Sequence, residues 1–212
     1  RHAPAHPTPR PARHGLREHG GLFGLSIVLV AAGAISNYVG IYMTTYAITT
    51  LELSATIAMS ATVIFGLATM AGALLGGWLS DHYGRRPVML WSRVALLLAV
   101  HPLFVHLLDH TSFATLAFTT ATLAGLAAIS SGPQLVAIPE LFPSHLRALG
   151  LSLSYALGAA LFGGTAQFVV AWLIDATGLR TVPAWYVIAS SLVMLWAIWM
   201  IPETGKREPL RA

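Results

Sequence analysis

The sequence predicts an all-α integral membrane protein, a six-transmembrane-helix bundle, because charged residues are scarce and the apolar runs are long. Asp, Glu, Lys and Arg make up 9% of the 212 residues, whereas soluble domains contain about 25%. The mean hydropathy is +0.70. Each of the six runs can supply the roughly 20 helical residues that cross the hydrocarbon layer. Since lipid offers no partners to backbone polar groups, the runs are predicted to be helices.

The predicted spans follow one another with short connections. They are 22–48, 54–80, 87–108, 113–138, 149–174 and 182–201, within a transmembrane bundle at 21–202. Residues 1–20, rich in Pro and His, are predicted to be a cytoplasmic linker or tail, and 203–212 a cytoplasmic C-terminal tail. The histidines of the first segment fit no ligand set, so no metal site is expected.

Lys and Arg are distributed unequally between the two ends of these spans. Eleven of the 12 fall on the side that carries both termini and the loop between the second and third spans, with Arg93 counted among them. The opposite side carries only Arg180. Because basic residues concentrate in cytoplasmic loops, both termini of this chain are predicted to be cytoplasmic.

The connection between the second and third spans is short and charged: Gly77-Trp-Leu-Ser-Asp81-His-Tyr-Gly84-Arg85-Arg86-Pro87. Gly84 can adopt the positive φ required just after a helix end, and Pro87 suits the first turn of the next helix. Asp81 lies at the C-terminal end of its helix, where the helix dipole disfavours an anion. Asp81 therefore needs a cation or the N-terminus of another helix nearby, and Arg85 and Arg86 are within reach after the Gly84 turn.

The pattern Gly77-x-x-x-Asp81-x-x-Gly84-Arg85-Arg86 resembles the signature between helices two and three of the major facilitator superfamily, which is repeated between helices eight and nine. His82 stands where that signature usually has Arg or Lys. Glu140-Leu-Phe-Pro-Ser-His-Leu-Arg147 and Pro202-Glu203-Thr204 resemble the loop after helix ten and the end of helix twelve. The chain thus resembles the C-terminal half of a twelve-helix major facilitator fold.

A narrower resemblance lies in the stretch from Pro139 to Tyr155, followed by Phe162-Gly163-Gly164-Thr165. It is similar to the metabolite:proton symporter family, which carries citrate, 2-oxoglutarate and related organic acids, or proline and betaine. The segment that begins Asn37-Tyr-Val-Gly looks more like the organic-acid members. The resemblance covers nearly the whole chain from residue 21 onward.

The resemblance implies a secondary active transporter of the bacterial cytoplasmic (inner) membrane. It would perform proton-coupled symport of a small organic acid such as citrate or 2-oxoglutarate, or of proline or betaine, by alternating access. Its expected partners are the substrate, H⁺, the lipid bilayer and an N-terminal six-helix half that precedes this chain. No enzymatic activity, cofactor or nucleic acid is expected, since neither a nucleophile–base arrangement nor a phosphate loop is present.

The resemblance also implies a latch that closes the cytoplasmic side in one transport state. Its members would be Gly77, Asp81, Gly84, Arg85, Arg86, Glu140 and Arg147. The alternative is plain topology, in which the basic residues anchor the protein to anionic headgroups.

Polar residues in the spans are candidates for a substrate cavity. Tyr38 and Tyr42, with two threonines after them, form one stripe at helical spacing, and Asn37 borders it. Helices seven, eight, ten and eleven line the central cavity of the superfamily, so the resemblance aims this stripe inward. Further candidates are Gln134, Tyr155 and Gln167. The alternative is hydrogen bonding between helices or a place in an interfacial aromatic belt.

No acidic residue falls near the middle of a span, although proton coupling requires a titratable group. His101 and His106 lie deeper in their span than any acidic residue does. This span resembles a scaffold helix of the superfamily, and we expect a structural role for both histidines. The coupling site is therefore expected in the missing half. Two other interpretations stay open: a natural half-transporter that acts as a homodimer, and a non-transporting sensor or truncated product.

Overall fold

The computed structural model describes residues 20–201, which form six long helices joined by short connections. Each helix is long and apolar enough to cross a membrane, and this part of the chain contains no strand. The predicted class, an all-α six-helix membrane bundle, is confirmed. The helices are α1 (Gly20–Thr49), α2 (Ala55–Tyr83), α3 (Arg85–Asp109), α4 (Phe113–Glu140), α5 (Arg147–Thr177) and α6 (Val182–Met200).

Both terminal segments fall outside the described residues. They include most of the predicted linker, the predicted tail at 203–212 and the Pro202-Glu203-Thr204 motif. These predictions therefore stay predictions.

The turn between α2 and α3 consists of a single residue, Gly84. Its φ of 100° and ψ of 161° lie in a region that is essentially restricted to glycine. Because the turn is so short, Asp81 lies in the last turn of α2 and Arg85 is the first residue of α3. The charged motif is consequently held by two helix ends.

Helix α5 is interrupted by a π-helical segment, whereas the sequence predicts one uniform span at 149–174. Two α-helical stretches, Arg147–Leu157 and Gly164–Thr177, flank the π-helical segment Gly158–Gly163. Glycine allows α1 to approach closely here, since a Cβ on Gly158 would lie 2.9 Å from the backbone nitrogen of Ala31.

Helices α2 and α4 also approach closely at glycines. A Cβ on Gly72 would lie 2.5 Å from the carbonyl oxygen of Gly125, and one on Gly76 would collide with the backbone of Ile129. Small residues at such crossings are the usual basis of helix packing in membranes. By contrast, a Cβ on Gly77 or Gly164 would meet nothing within 4 Å among the described residues.

Two apolar clusters form the core, one toward each end of the bundle. The cluster nearer Gly84 includes Leu29, Met89, Ile138, Met194 and Ile198. The cluster toward the opposite end includes Val39, Met43, Tyr46, Leu96, Phe104 and Val187. Between them lies a polar layer formed by Ser36 of α1, Arg93 of α3 and Ser190 of α6, all buried.

Candidate functional site

Three charged side chains meet at the end of the bundle that carries Gly84. Arg85 Nη1 lies 3.1 Å from Asp81 Oδ1, and Arg85 Nη2 lies 3.6 Å from Glu140 Oε1. Arg85 also donates a hydrogen bond of 3.2 Å to Ser80 Oγ. We call Asp81, Arg85 and Glu140 the charge cluster; it joins the ends of α2, α3 and α4.

Each member of the charge cluster lies at the end of its helix where the dipole disfavours its charge. Asp81 is in the last turn of α2 and Glu140 is the last residue of α4, where the partial charge of the backbone is negative. Arg85 is the first residue of α3, where that partial charge is positive. The three charges therefore stabilise one another in positions that none would favour alone.

The other predicted latch residues make different contacts. Arg86 Nη2 donates a 2.8 Å hydrogen bond to the carbonyl oxygen of Trp199, near the end of α6. Arg147 Nε donates to the carbonyl oxygen of Phe142, and within residues 20–201 it forms no ion pair. The structure thus brings Arg85 together with Asp81 and Glu140, whereas Arg147 stabilises the connection between α4 and α5.

A cavity of about 290 Å³ lies between α1, α2, α4 and α5. This volume is close to the lower end of the range for small-molecule sites, about 300–1,000 Å³. Four of the six predicted cavity residues line it, namely Asn37, Tyr38, Gln134 and Tyr155. Its remaining polar lining consists of Thr69 and Ser131, so no charged side chain from residues 20–201 contributes to the wall.

Two buried oxygen atoms of residues that line this cavity have no hydrogen-bond partner among the described residues. They are Oε1 of Gln134, a residue 3% exposed, and Oγ1 of Thr69. A buried polar atom without a partner typically costs about 1–3 kcal/mol. A polar ligand in the cavity could remove that cost, which makes these two atoms candidate ligand contacts.

The sequence-predicted site residues do not include Gly33 and Thr69, which line the cavity, or Gly163, which lies beside Tyr38. A Cβ on Gly33 would lie 3.0 Å from Gln134 Oε1, so Gly33 leaves room for that side chain. A Cβ on Gly163, in the π-helical segment, would lie 2.7 Å from the ring of Tyr38. Thr69 lies in an otherwise apolar stretch of α2, and the sequence gives no sign of its role. Its place in the cavity wall, which it shares with Gln134 of α4, identifies it as a site residue.

Tyr42 and Gln167 do not line this cavity. Tyr42 lines a second cavity of about 310 Å³ between α1 and α5, near Asp175 and further from Gly84. Gln167 is half-buried on α5 and lines neither cavity. The polar stripe of α1 is therefore divided between two cavities, because successive turns of α1 contact different neighbours.

Arg93 departs from the expectation that it belongs to the cytoplasmic rim. It is eight residues along α3 from Arg85, which corresponds to a rise of about 12 Å. Its side chain is 0% exposed, and its Nη1 donates a 2.7 Å hydrogen bond to Ser36 Oγ. Sequence reasoning missed this buried cation because an Arg near the end of a span usually extends its head group to the interface.

The expected structural role of His101 has a physical basis in its contact with α6. The imidazole ring of His101 packs against the ring of Trp185, with centroids 5.2 Å apart. His106 packs against His110, with centroids 4.8 Å apart. Neither histidine lines the cavity of about 290 Å³.

Six membrane-length helices define the class of multi-pass membrane proteins, and a cavity between them with a charge cluster at one end is typical of the transporters in that class. Residues 19–209 match the family described as "Sugar (and other) transporter". The chain belongs to this family, which is part of the major facilitator superfamily.

Three similar proteins illustrate the range of named substrates. The alpha-ketoglutarate permease of Escherichia coli K12 is 32% identical over 94% of this chain and 48% of its own length. The citrate-proton symporter of Salmonella typhi is 27% identical over 77% of this chain and 38% of its own length. The proline/betaine transporter of E. coli K12 is 29% identical over 70% of this chain and 30% of its own length. The chain thus spans less than half the length of these relatives.

Proposed function

We propose that this chain is the substrate-binding C-terminal half of a secondary active transporter of the bacterial cytoplasmic membrane. It takes part in proton-coupled symport of a small organic acid such as citrate or 2-oxoglutarate, or of proline or betaine. The observation that carries the proposal is the cavity of about 290 Å³, with amide and hydroxyl groups from four helices around it. The names of the relatives, which include a citrate-proton symporter and a proline/betaine transporter, support the same substrate range.

A partner bundle, in our proposal the N-terminal six-helix half, packs against α2 and α5. In the most apolar window of each helix, 17% of residues in α2 and 22% in α5 are buried, against 39–50% in the other four. Both helices also line the cavity. A second bundle that covers them would close the cavity from the side, and rocking of the two bundles would expose it to either face of the membrane in turn.

The charge cluster acts in this proposal as a latch on the cytoplasmic side. Asp81 is 69% exposed, whereas Arg85 is 17% exposed. Exposed ion pairs contribute only about 0–1 kcal/mol to stability. A pair this weak can open and close during a transport cycle, which a strongly stabilising contact could not do.

The test is uptake by the complete gene product, reconstituted in proteoliposomes, under an inward proton gradient. Radiolabelled citrate, 2-oxoglutarate, proline and glycine betaine are offered separately. We expect at least one of them to accumulate, and collapse of the gradient with a protonophore to abolish the accumulation. Absence of gradient-dependent uptake for all four would refute the symport proposal.

A matched pair of variants connects the uptake to the cavity. Gln134→Leu removes an amide group that lines the cavity. Gln167→Leu makes the same change on α5 at a position that does not line the cavity. We expect the first to raise the KM for the transported substrate and the second to leave it unchanged. Equal effects of the two changes would mean that the cavity is not the binding site.

A further inference from the structure

Arg93 is a buried cation without a counter-charge in the part of the chain that the structure describes. Its side chain is 0% exposed, and its Nε and Nη2 atoms have no hydrogen-bond partner there. The ion pairs of residues 20–201 involve Arg85 and not Arg93. The described acidic residues all lie at helix ends or in connections: Glu52, Asp81, Asp109, Glu140 and Asp175.

A charge in this position is costly unless something compensates it. An ion transferred from water to a protein interior loses several kcal/mol of hydration free energy. Arginine cannot escape the cost by deprotonation, because its guanidinium stays charged in proteins. The hydroxyl of Ser36, at 2.7 Å, supplies one dipole but no net charge. The middle of the bundle consequently carries an excess of positive charge.

The guanidinium lies behind the wall of the cavity of about 290 Å³. Ser36, which accepts its hydrogen bond, is followed along α1 by Asn37, and Asn37 lines that cavity. A small cavity of about 10 Å³ touches Ser36 and Ala127, and Ala127 also lines the larger cavity. Because Ser36 and Asn37 are neighbours on α1, the charge lies within about one helix diameter of the cavity, roughly 10–12 Å with side chains.

We propose that Arg93 is a charge-selectivity residue that makes this cavity favour substrates with a net negative charge, such as dicarboxylates, over zwitterions. The inference rests on the transport function proposed above and narrows its substrate class. The lining of the cavity is neutral, so its amide and hydroxyl groups suit carboxylates and zwitterions alike. Among the described residues, the nearby charge that can distinguish a carboxylate from a zwitterion is that of Arg93.

The expected size of the effect follows from Coulomb's law. A unit charge about 10 Å away, at an effective dielectric constant of about 20, changes the affinity for a monovalent anion about 15-fold. The effect is larger for a dianion and small for a zwitterion, whose two charges nearly cancel. Arg93 acts through its electric field at a distance, so it is a selectivity residue that contacts no substrate.

The experiment compares two probes, 2-oxoglutarate and glycine betaine, on the complete gene product. Apparent affinities are measured by ligand-induced thermal stabilisation in detergent and by KM in proteoliposomes. Ser36→Asp places a carboxylate beside Arg93 and neutralises its charge, whereas the matched control Ser36→Ala removes the hydroxyl and keeps the charge. In a second matched pair, Arg93→Gln removes the charge and the control Arg93→Lys keeps it.

We expect the unaltered protein to prefer 2-oxoglutarate. Ser36→Asp and Arg93→Gln should weaken 2-oxoglutarate binding about 15-fold or more and betaine binding less than about twofold. Ser36→Ala and Arg93→Lys should keep the preference. If Arg93→Gln does not fold, Ser36→Asp decides the matter, because it keeps the guanidinium and replaces its hydroxyl partner with a carboxylate.

Four results would count against the inference. Unchanged anion affinity in Ser36→Asp would mean that the charge of Arg93 does not reach the cavity. Equal losses for both probes would indicate a packing effect. A preference of the unaltered protein for betaine would refute the inference while leaving the transport function intact, whereas failure to bind or transport either probe would count against both.

Discussion

The two partners in the Arg85–Asp81 ion pair are expected to differ sharply in their importance for stability. Arg85 is 17% exposed and contacts three acceptors, on Asp81, Glu140 and Ser80. Asp81 is 69% exposed. Replacing each residue in turn therefore tests whether the charge cluster is a structural support or a switch.

The substitution Arg85→Ala is expected to reduce the free energy of unfolding by about 2 kcal/mol. Loss of the exposed pair with Asp81 costs about 0.5 kcal/mol. Glu140 is then left partly buried without its partner, at a helix end that disfavours it, which costs about 1–2 kcal/mol. The Oε2 atom of Glu140 has no hydrogen-bond partner among the described residues, so the contact of Oε1 with Arg85 is the one that the substitution removes.

The substitution Asp81→Asn is expected to leave stability nearly unchanged. The lost pair costs about 0.5 kcal/mol, and removal of an anion from a helix C-terminus returns about 0.3–1 kcal/mol. A latch requires Asp81 all the same, so we expect a lower uptake rate in this variant. Arg85→Lys is the control, because it keeps the charge and should retain more stability than Arg85→Ala.

Stability is measured by thermal unfolding in detergent, followed by circular dichroism, and function by uptake into proteoliposomes. If Asp81→Asn destabilised the protein as much as Arg85→Ala, Asp81 would be a structural partner. If Asp81→Asn changed neither stability nor uptake, the latch assignment would be wrong.

Three further predictions use matched positions in the helices. Gly163→Ala should displace the ring of Tyr38 at the cavity and raise the KM for the transported substrate. Gly164→Ala should leave the KM unchanged, because its Cβ would meet nothing within 4 Å. Equal KM values in the two variants would count against the cavity as the binding site. Gly76→Ala should destabilise the bundle by about 1–3 kcal/mol in thermal unfolding. Gly77→Ala should be neutral there, so a loss of uptake in that variant would indicate a partner bundle at this face. Gln134→Leu should not lower the melting temperature, since its Oε1 lacks a partner, and a drop would favour the helix-packing interpretation.

The fold class could be predicted from the sequence because lipid imposes a simple rule on the backbone. A long apolar run must be a helix, and a charged residue usually marks its end. The irregular part of α5 was not predictable in this way. Apolar residues and glycines fit an α-helix and a π-helical segment equally well, so the sequence pattern does not distinguish the two.

The candidate site was predicted in part. Asn37, Tyr38, Gln134 and Tyr155 do meet at one cavity, because the helices that carry them converge. Tyr42 is a tyrosine like Tyr38 and lies one helical turn further along α1, yet it lines another cavity. Spacing along one helix gives the face of a residue but not the neighbour that the face meets.

The sequence by itself determined that the chain crosses the membrane six times and that a compact charged turn joins α2 and α3. These features depend on local composition and on the transfer of single helices into lipid. The tertiary structure decided which charges meet. Arg85 pairs with Glu140, 55 residues away in the chain, whereas Arg93 is buried against Ser36 without an acidic partner among the described residues. Pairing and burial depend on how helices pack, and no single segment contains that information.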